Sequence, residues 1–551
     1  MRGIKLAQKL FKRRLERSTT AALDELTQAS SRLQQVSEEL EKLGKEPGPK
    51  VEFGATQWKK PVALPLSYLR AHGLVLGASG AGKSYFALSV ISQFLALSAT
   101  SDHIPISFGL LDAKGELFEK VLGYLYAHLY RLEPKVRARI AKKIVLIDFS
   151  NTAQITPYNI LVRQENVADE IMVAGRIETI GEQFSGISQM SVRMRMILKY
   201  FLLLLTEYAL PLSYFERLCN DPLLLAALVE QSNNVQVKDY FSHRFDGESK
   251  LTLLALRQRI DSLLVSEGVR LSLSAEAAPD FASLQDQGAI ILINTAGRNI
   301  TRGISELLQS LILSDIKQSV FRRSNQGQHY LWFFDEAQNL YKAPANREHM
   351  NDLLTMARSF NSFFVLLTQS LTSATRDQDI LNTTLGNVRW IVMLRSTLRD
   401  ASLIAPALPL TGSLTKPMHN PFEPPQHLTE SEELKLRLNA ITKLPDRLAY
   451  CWLKANLSKA IKITTPYMPP PHKLAGCSKE ALSAFIKSEP LGQGVTKETI
   501  TRALEDRHQR LRQLLSFPHR KSGKASTSRK AGKDQGKTLV RMLEEEYSTK
   551  K

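Results

Sequence analysis

Residues 77–84 read GASGAGKS, a GxxxxGK[ST] pattern set between an apolar run at 74–76 and a helical run through Tyr85, Phe86, Leu88, Val90, Ile91 and Phe94. Strand, glycine-rich turn and helix is the context in which such a loop holds phosphate. Gly77, Gly80 and Gly82 let the backbone fold so that successive N–H groups converge on phosphate oxygens, and the helix adds the positive end of its dipole. Lys83 is placed to reach β- and γ-phosphates, and the Ser84 hydroxyl to ligate Mg²⁺. The bland alternative is a surface turn that happens to be rich in glycine.

Phosphate chemistry of this kind also needs a carboxylate on the metal side and a group that activates water. Residues 329–338 read HYLWFFDEAQ, an apolar strand that ends in Asp335 and Glu336. Open α/β sheets bind ligands at this carboxyl end of their strands. Asp335 is expected in the Mg²⁺ shell and Glu336 as general base on the attacking water; adjacent acids there can also be ordinary helix caps. A second apolar run, FFVLLTQ at 363–369, ends in the amide of Gln369, which reads either as a sensor of the γ-phosphate or lytic water or as a strand-end turn residue. Arg358, eleven residues earlier in MARSFN, reads either as an arginine supplied to a neighbouring subunit's transition state or as a surface arginine. Residues 110–117, LLDAKGEL, place Asp112, Lys114 and Glu116 around Gly115. By periodicity alone this is a turn with solvated charges.

Positioning these groups takes a sheet. Short apolar runs at 73–76, 106–111, 144–148, 289–294, 330–334, 363–368, 390–394 and 448–453 alternate with helical stretches, the signature of βαβ units around a buried parallel sheet. Residues 165–285 break the alternation with helical patterning such as Met194, Ile197, Leu198, Phe201 and Leu205, which predicts an all-α domain inserted in the α/β core. Ala22, Leu26, Ala29, Leu33, Val36, Leu40 and Leu43 recur at steps of four and three, the seam either of a short coiled coil or of one helix packed on its own domain. Gly44, Pro47, Gly48 and Pro49 end that helix near residue 50.

The predicted order is a basic amphipathic and coiled-coil helix (1–50), a first core part (51–164), the all-α insert (165–285) and a second core part (286–470). A helical extension (471–517) and a disordered basic tail (518–551) rich in Gly, Ser and Lys follow.

At 551 residues, with 43% hydrophobic and 23% charged side chains, the composition excludes wholesale disorder and collagen-like repeats. No apolar run approaches the roughly 20 residues that a membrane span needs. Cys219, Cys451 and Cys477 are too few and scattered for a disulfide framework or zinc site, which points to a reducing cytoplasm. The formal charge is +19, much of it terminal: residues 1–17 carry seven basic groups against Glu16, and residues 519–537 seven against Asp534. Such arms suit a polyanion partner, or simple solubility.

GASGAGKS, LLDAKGEL, FFDEAQ and the pair Arg358 and Gln369 stand in the order and approximate spacing of the HerA/FtsK superfamily of hexameric DNA pumps. They most resemble the type IV secretion coupling proteins of bacterial conjugation. The resemblance covers about residues 70–470 and includes a segment before the insert, ITPYNIL at 155–161, where Thr156 and Pro157 approximate an Asn-Pro motif. It implies a RecA-like P-loop NTPase core, ATP and Mg²⁺ as cofactors, DNA as partner and a homo-hexamer. Lys83 and Ser84 then match the phosphate and metal ligands, Asp335 and Glu336 the Walker B acids, Arg358 the trans-acting finger and Gln369 the sensor. Most coupling proteins begin with transmembrane helices, whereas this chain begins with a basic amphipathic stretch (Ile4, Leu6, Leu10, Phe11 and Leu15) able to rest on an anionic surface or on phosphates.

The expectation is therefore a cytoplasmic ATPase driving DNA transfer, with a relaxase or a secretion-channel partner and peripheral attachment to the inner membrane through that partner. A HerA-like translocase regulating a nuclease in defence or repair, and a non-hydrolytic recruitment adaptor, remain as alternatives.

Overall fold

The computed structural model describes residues 35, 37–100, 107–163, 167–183, 190–247, 250–323, 328–375, 377–410, 428–454, 456–474, 477–478, 480–482, 484 and 494–516. The basic start at 1–17, most of the heptad seam and the basic tail at 518–551 lie outside the described residues.

The strands are β1 (Lys50–Thr56), β2 (Pro61–Pro65), β3 (His72–Leu76), β4 (Ser107–Asp112), β5 (Ile144–Asp148), β6 (Ile290–Asn294), β7 (Tyr330–Phe334), β8 (Ser362–Thr368), β9 (Val388–Met393), β10 (Leu448–Leu453) and β11 (Ile461–Thr464). They join one sheet in the order β2-β1-β11-β10-β9-β3-β8-β7-β4-β6-β5. From β9 to β5 every pairing is parallel. Every residue of β3, β4, β6, β7 and β8 is buried, because helices cover both faces of a parallel sheet and leave no side for polar residues. The expected α/β core with a buried parallel sheet is thus what the chain forms.

Three strands escape the sequence reading. β1, β2 and β11, with β10, make an antiparallel wing beyond β9. β1 is interrupted by an irregularity between Glu52 and Gly54 and β11 is only four residues long, so neither shows a clear period. Of the heptad seam, Leu43 is buried and Leu40 half-buried against the cluster of Val51, Phe53, Val62 and Leu64. In its described part, then, this helix lies on its own domain.

Between β5 and β6 all described elements are helices, from Asp169–Gln183 to Phe281–Asp286. Their apolar faces do not close on themselves. Phe201, Leu205, Leu228 and Ile260 belong to one continuous core with Leu74, Leu111 and Ile293 of the sheet and with the helix Arg302–Arg322. Thr156 and Pro157 lie at the root of this region, away from the loop: the Thr156 hydroxyl donates to Leu146 O (2.7 Å), and the next residue, Tyr158, donates to Asp315, which also pairs with buried Arg176 at 2.5 Å. The helix Lys497–Ser516 returns across the same region through Arg507–Glu276 (2.9 Å) and Lys497–Glu267 (2.5 Å).

His72 marks the amino end of β3. Its Nδ1 accepts from the Phe364 N–H at 3.0 Å and its ring stacks on Phe364. Burial first, and the Arg358 guanidinium second, push its pKa down from 6.5 to about 3. The folded chain holds the imidazole neutral while the unfolded chain takes up a proton near pH 6.5. Stability is therefore complete above about pH 6.5 and falls as the pH drops toward 3, by about 2 kcal/mol at pH 5. Replacing His72 by Asn, which keeps an acceptor for the Phe364 amide, is expected to shrink the loss of melting temperature between pH 7 and pH 5. The remaining slope belongs in part to His349, which burial and Lys317 push down to about 4. Equal losses in the variant and the parent would refute this.

Candidate nucleotide site

The loop at 77–82 leaves the carboxyl end of β3 and hangs between its two neighbouring strands. Gly77 N–H donates to Thr368 O at the end of β8 (3.2 Å), and Ala78 N–H donates to Arg395 O just past β9 (2.6 Å). Gly80 and Gly82 have φ of +76° and +106°, a region glycine enters without steric cost. Among the described residues, no backbone group accepts from the amides of Gly80, Gly82, Lys83 or Ser84. These donors, at the start of the helix Lys83–Thr100, form the ready-made anion site of a helix N-terminus. Lys83 is buried and donates to Gly77 O (2.7 Å) and Ala78 O (3.2 Å). Burial lowers its pKa against the opposing pull of Glu336 and Asp335. Ser84 is half-buried one residue further on.

The acids stand two strands away, because β8 is inserted between β3 and β7. Asp335 is buried and accepts from the Glu336 N–H at 3.0 Å. Burial, then the neighbouring charges of Asp112 and Glu336, raise its pKa to about 7. No cation forms an ion pair with it among the described residues. A buried carboxylate in that position calls for a cation, and Asp335 with the Ser84 hydroxyl is the hard oxygen donor set that Mg²⁺ prefers. The residues present thus fit the metal, with phosphate oxygens and water as its remaining ligands. No group of three His, Cys, Asp or Glu side chains able to hold a metal by themselves occurs among the described residues.

Glu336 sits in the left-handed region (φ +53°, ψ +40°), a conformation that costs a non-glycine residue about 1–3 kcal/mol and concentrates at functional sites. Its carboxylate is surrounded by donors. Gln369 Nε2 reaches Oε1 at 2.9 Å and Oε2 at 2.8 Å, Lys114 Nζ donates to Oε1, and Gln338 Nε2 donates to Oε2. Burial alone would raise its pKa, but the bonds from Lys114, Gln369 and Gln338 outweigh it and leave the group below the usual carboxylate value. It is therefore ionised, as a general base must be.

The structure thus brings together Gly77, Gly80, Gly82, Lys83, Ser84, Asp335, Glu336 and Gln369. It keeps Arg358 apart. That residue is exposed in the turn Ala357–Phe360, which leads into the amino end of β8. Its electrostatic neighbours are His72 and Arg389, at the amino ends of β3 and β9. The seven residues of β8 separate it from Gln369, a span of about 20 Å.

The solvated-turn reading of residues 110–117 fails at Asp112, while Lys114 and Glu116 are exposed. Asp112 is fully buried at the end of β4, and its carboxylate accepts from the Lys114 N–H (2.7 Å) and the Phe118 N–H (2.8 Å). That carboxylate fixes the start of the helix Glu116–Tyr130 and aims Lys114 at Glu336. Periodicity failed because a strand-end carboxylate satisfied by backbone amides has the same sequence appearance as a solvated one. Gln338 was also missed. Its Oε1 accepts from Thr368 Oγ1 (2.8 Å) and the Gln369 N–H (3.2 Å), which ties the acid strand to the sensor strand. Its place in DEAQ, two residues beyond the base, was the available signal.

No protein-family model matches the chain, and no curated protein does. Among solved structures, the bacterial conjugative coupling protein TrwBdeltaN70 in its unbound form superposes with a TM-score of 0.46 and 14% identity, over 78% of this chain and 92% of that one. The plasmid coupling protein TrwB in complex with a non-hydrolysable ATP analogue gives 0.46 and 15% over the same shares. VirB4 of Thermoanaerobacter pseudethanolicus gives 0.46 and 14%, over 78% of this chain and 99% of that one.

Proposed function

We propose that this chain is an ATP-driven DNA translocase that works as a hexameric ring, in the manner of the coupling proteins of conjugation. The observation that carries the ATPase part is the Gln369–Glu336 bond. It puts a charge-free amide and an ionised carboxylate side by side at the carboxyl end of β8 and β7, next to the phosphate loop on β3.

A triphosphate on the loop draws Lys83 off its two carbonyls and onto phosphate oxygens, and the free amides of the first helical turn donate to the remaining phosphate oxygens. Ser84 and Asp335 would hold Mg²⁺, which would neutralise phosphate charge. Glu336 takes the proton of the attacking water while Gln369 orients that water and reports the γ-phosphate. Arg358 serves a neighbouring subunit's site, since it lies too far from its own. The DNA part rests on the resemblance of the motifs and on the basic arms, and the helical region is the candidate for cargo recognition. No described helix is long and apolar enough to cross a membrane.

The test is ATP turnover by the full chain with and without single- and double-stranded DNA, alongside displacement of a third strand from a triplex in the protein's path. DNA-stimulated turnover and ATP-dependent displacement are expected. Turnover without displacement would remove the motor and leave a regulatory ATPase; absence of turnover under every condition would leave the recruitment adaptor.

A further inference from the structure

We infer that Lys114 is a latch on the general base: it holds Glu336 in a restrained arrangement and must let go before water can be activated. The inference deepens the ATPase reading above and rests on it. A carboxylate offers about four acceptor positions. In this structure Lys114, Gln338 and the two contacts of Gln369 occupy both oxygens of Glu336, so a water can pass its proton to this carboxylate only after one donor leaves.

The four contacts are not equally free to leave. The Gln338 amide is tethered, since its Oε1 holds both Thr368 Oγ1 and the Gln369 backbone N–H at the end of β8, and the Gln369 side chain is half-buried beside it. Moving the Gln338 amide disturbs the sheet end that also carries the loop, because Thr368 O holds Gly77 N–H. Lys114 is different. It stands on the turn after β4, its side chain is 44% exposed, and it borders a cleft of about 420 Å³. Gly268 and Glu267 of the helical region and Arg298 of the loop after β6 line the same cleft. A long, strongly hydrated ammonium on a flexible stem beside open space leaves more readily than a tethered amide or a half-buried one. Asp112 fixes only the backbone of the turn, through the Lys114 and Phe118 amides, so the side chain can swing while its base stays put.

The latch predicts that Lys114→Ala raises kcat for ATP about three- to tenfold, the size of one surrendered hydrogen bond, with KM for ATP within twofold of the parent. Lys114→Arg, which keeps a charged donor, should return the rate toward the parent. The double variant Lys114→Ala with Glu336→Gln should show no gain, because the effect runs through Glu336. Lys114→Met, which keeps the stem, guards against a folding defect in the alanine variant, and melting curves are taken for all four.

A fall or no change in kcat, a rise in KM, or a gain that survives loss of Glu336 would overturn the latch and make Lys114 a phosphate ligand or a structural group. A structure with Mg²⁺ and a non-hydrolysable ATP analogue reads the same point without turnover. Lys114 Nζ should then stand beyond 4 Å from Glu336, and an intact pair beside a positioned water would sink the proposal. If the parent binds nucleotide yet never hydrolyses it, the ATPase reading fails by itself, whatever that structure shows.

Discussion

A one-to-one mixture of two inactive variants, Arg358→Ala and Glu336→Gln, is expected to hydrolyse ATP although neither does so alone. Arg358 lies at the amino end of β8, near His72 and Arg389, while the loop, the acids and Gln369 lie at the carboxyl ends of β3, β7 and β8. With a strand's length between them, Arg358 cannot touch a phosphate held by its own subunit. A guanidinium that neutralises transition-state charge from a neighbour is worth on the order of 10³-fold or more in rate, so Arg358→Ala alone should lose about that much. In a head-to-tail ring each site joins the acids of one subunit to the arginine of the next. Random mixing leaves both intact at about one interface in four, so roughly a quarter of the parental rate should return. If Arg358 were an ordinary surface arginine, the single variant would keep near-parental turnover. If it acted within its own subunit, or only in folding, the mixture would stay inactive.

Glu336→Gln taken alone should lower kcat by about 10²- to 10⁴-fold, the usual contribution of a positioned base, while ATP binding stays within a few-fold of the parent. Binding is expected to survive because the donors available to phosphate, the unpartnered loop amides and Lys83, do not bond to this carboxylate. Glutamine matches glutamate in size and tolerates the left-handed backbone about equally well, so the substitution removes the proton acceptor more than it changes the fold. Fluorescent-nucleotide titration and steady-state turnover separate the two effects. A variant that lost binding and turnover together would point to a structural role, and one that kept full turnover would remove Glu336 from the base position.

The parts of this site that were legible in the sequence are the contiguous ones. GASGAGKS carries its own chemistry because loop geometry and the helix N-terminus follow from neighbouring residues. HYLWFFDEAQ announces a buried strand with acids at its end for the same reason. Seven of the eight strands read from the sequence were readable because a parallel sheet, buried on both faces, writes unbroken apolar runs; the eighth, β10, is antiparallel but mostly buried. The helical character of the interval between β5 and β6 was readable because a long interval without such runs leaves helices as the remaining way to satisfy the backbone.

Only the tertiary structure decided which strand ends meet. Nothing in the chain order says that β8 slots between β3 and β7, yet that insertion sets Gln369 against Glu336 and ties Gln338 to both Thr368 and Gln369. Lys114 and Glu336 are 222 positions apart, and no periodicity links residues at that range. The buried Asp112, the antiparallel wing and the return of Lys497–Ser516 onto the helical region have the same character. Residue type and spacing determine local conformation and local chemistry, since those depend on bonds and contacts within a few positions. The pairing of distant segments is fixed by the joint burial of many apolar faces, a property of the whole chain that no short window contains.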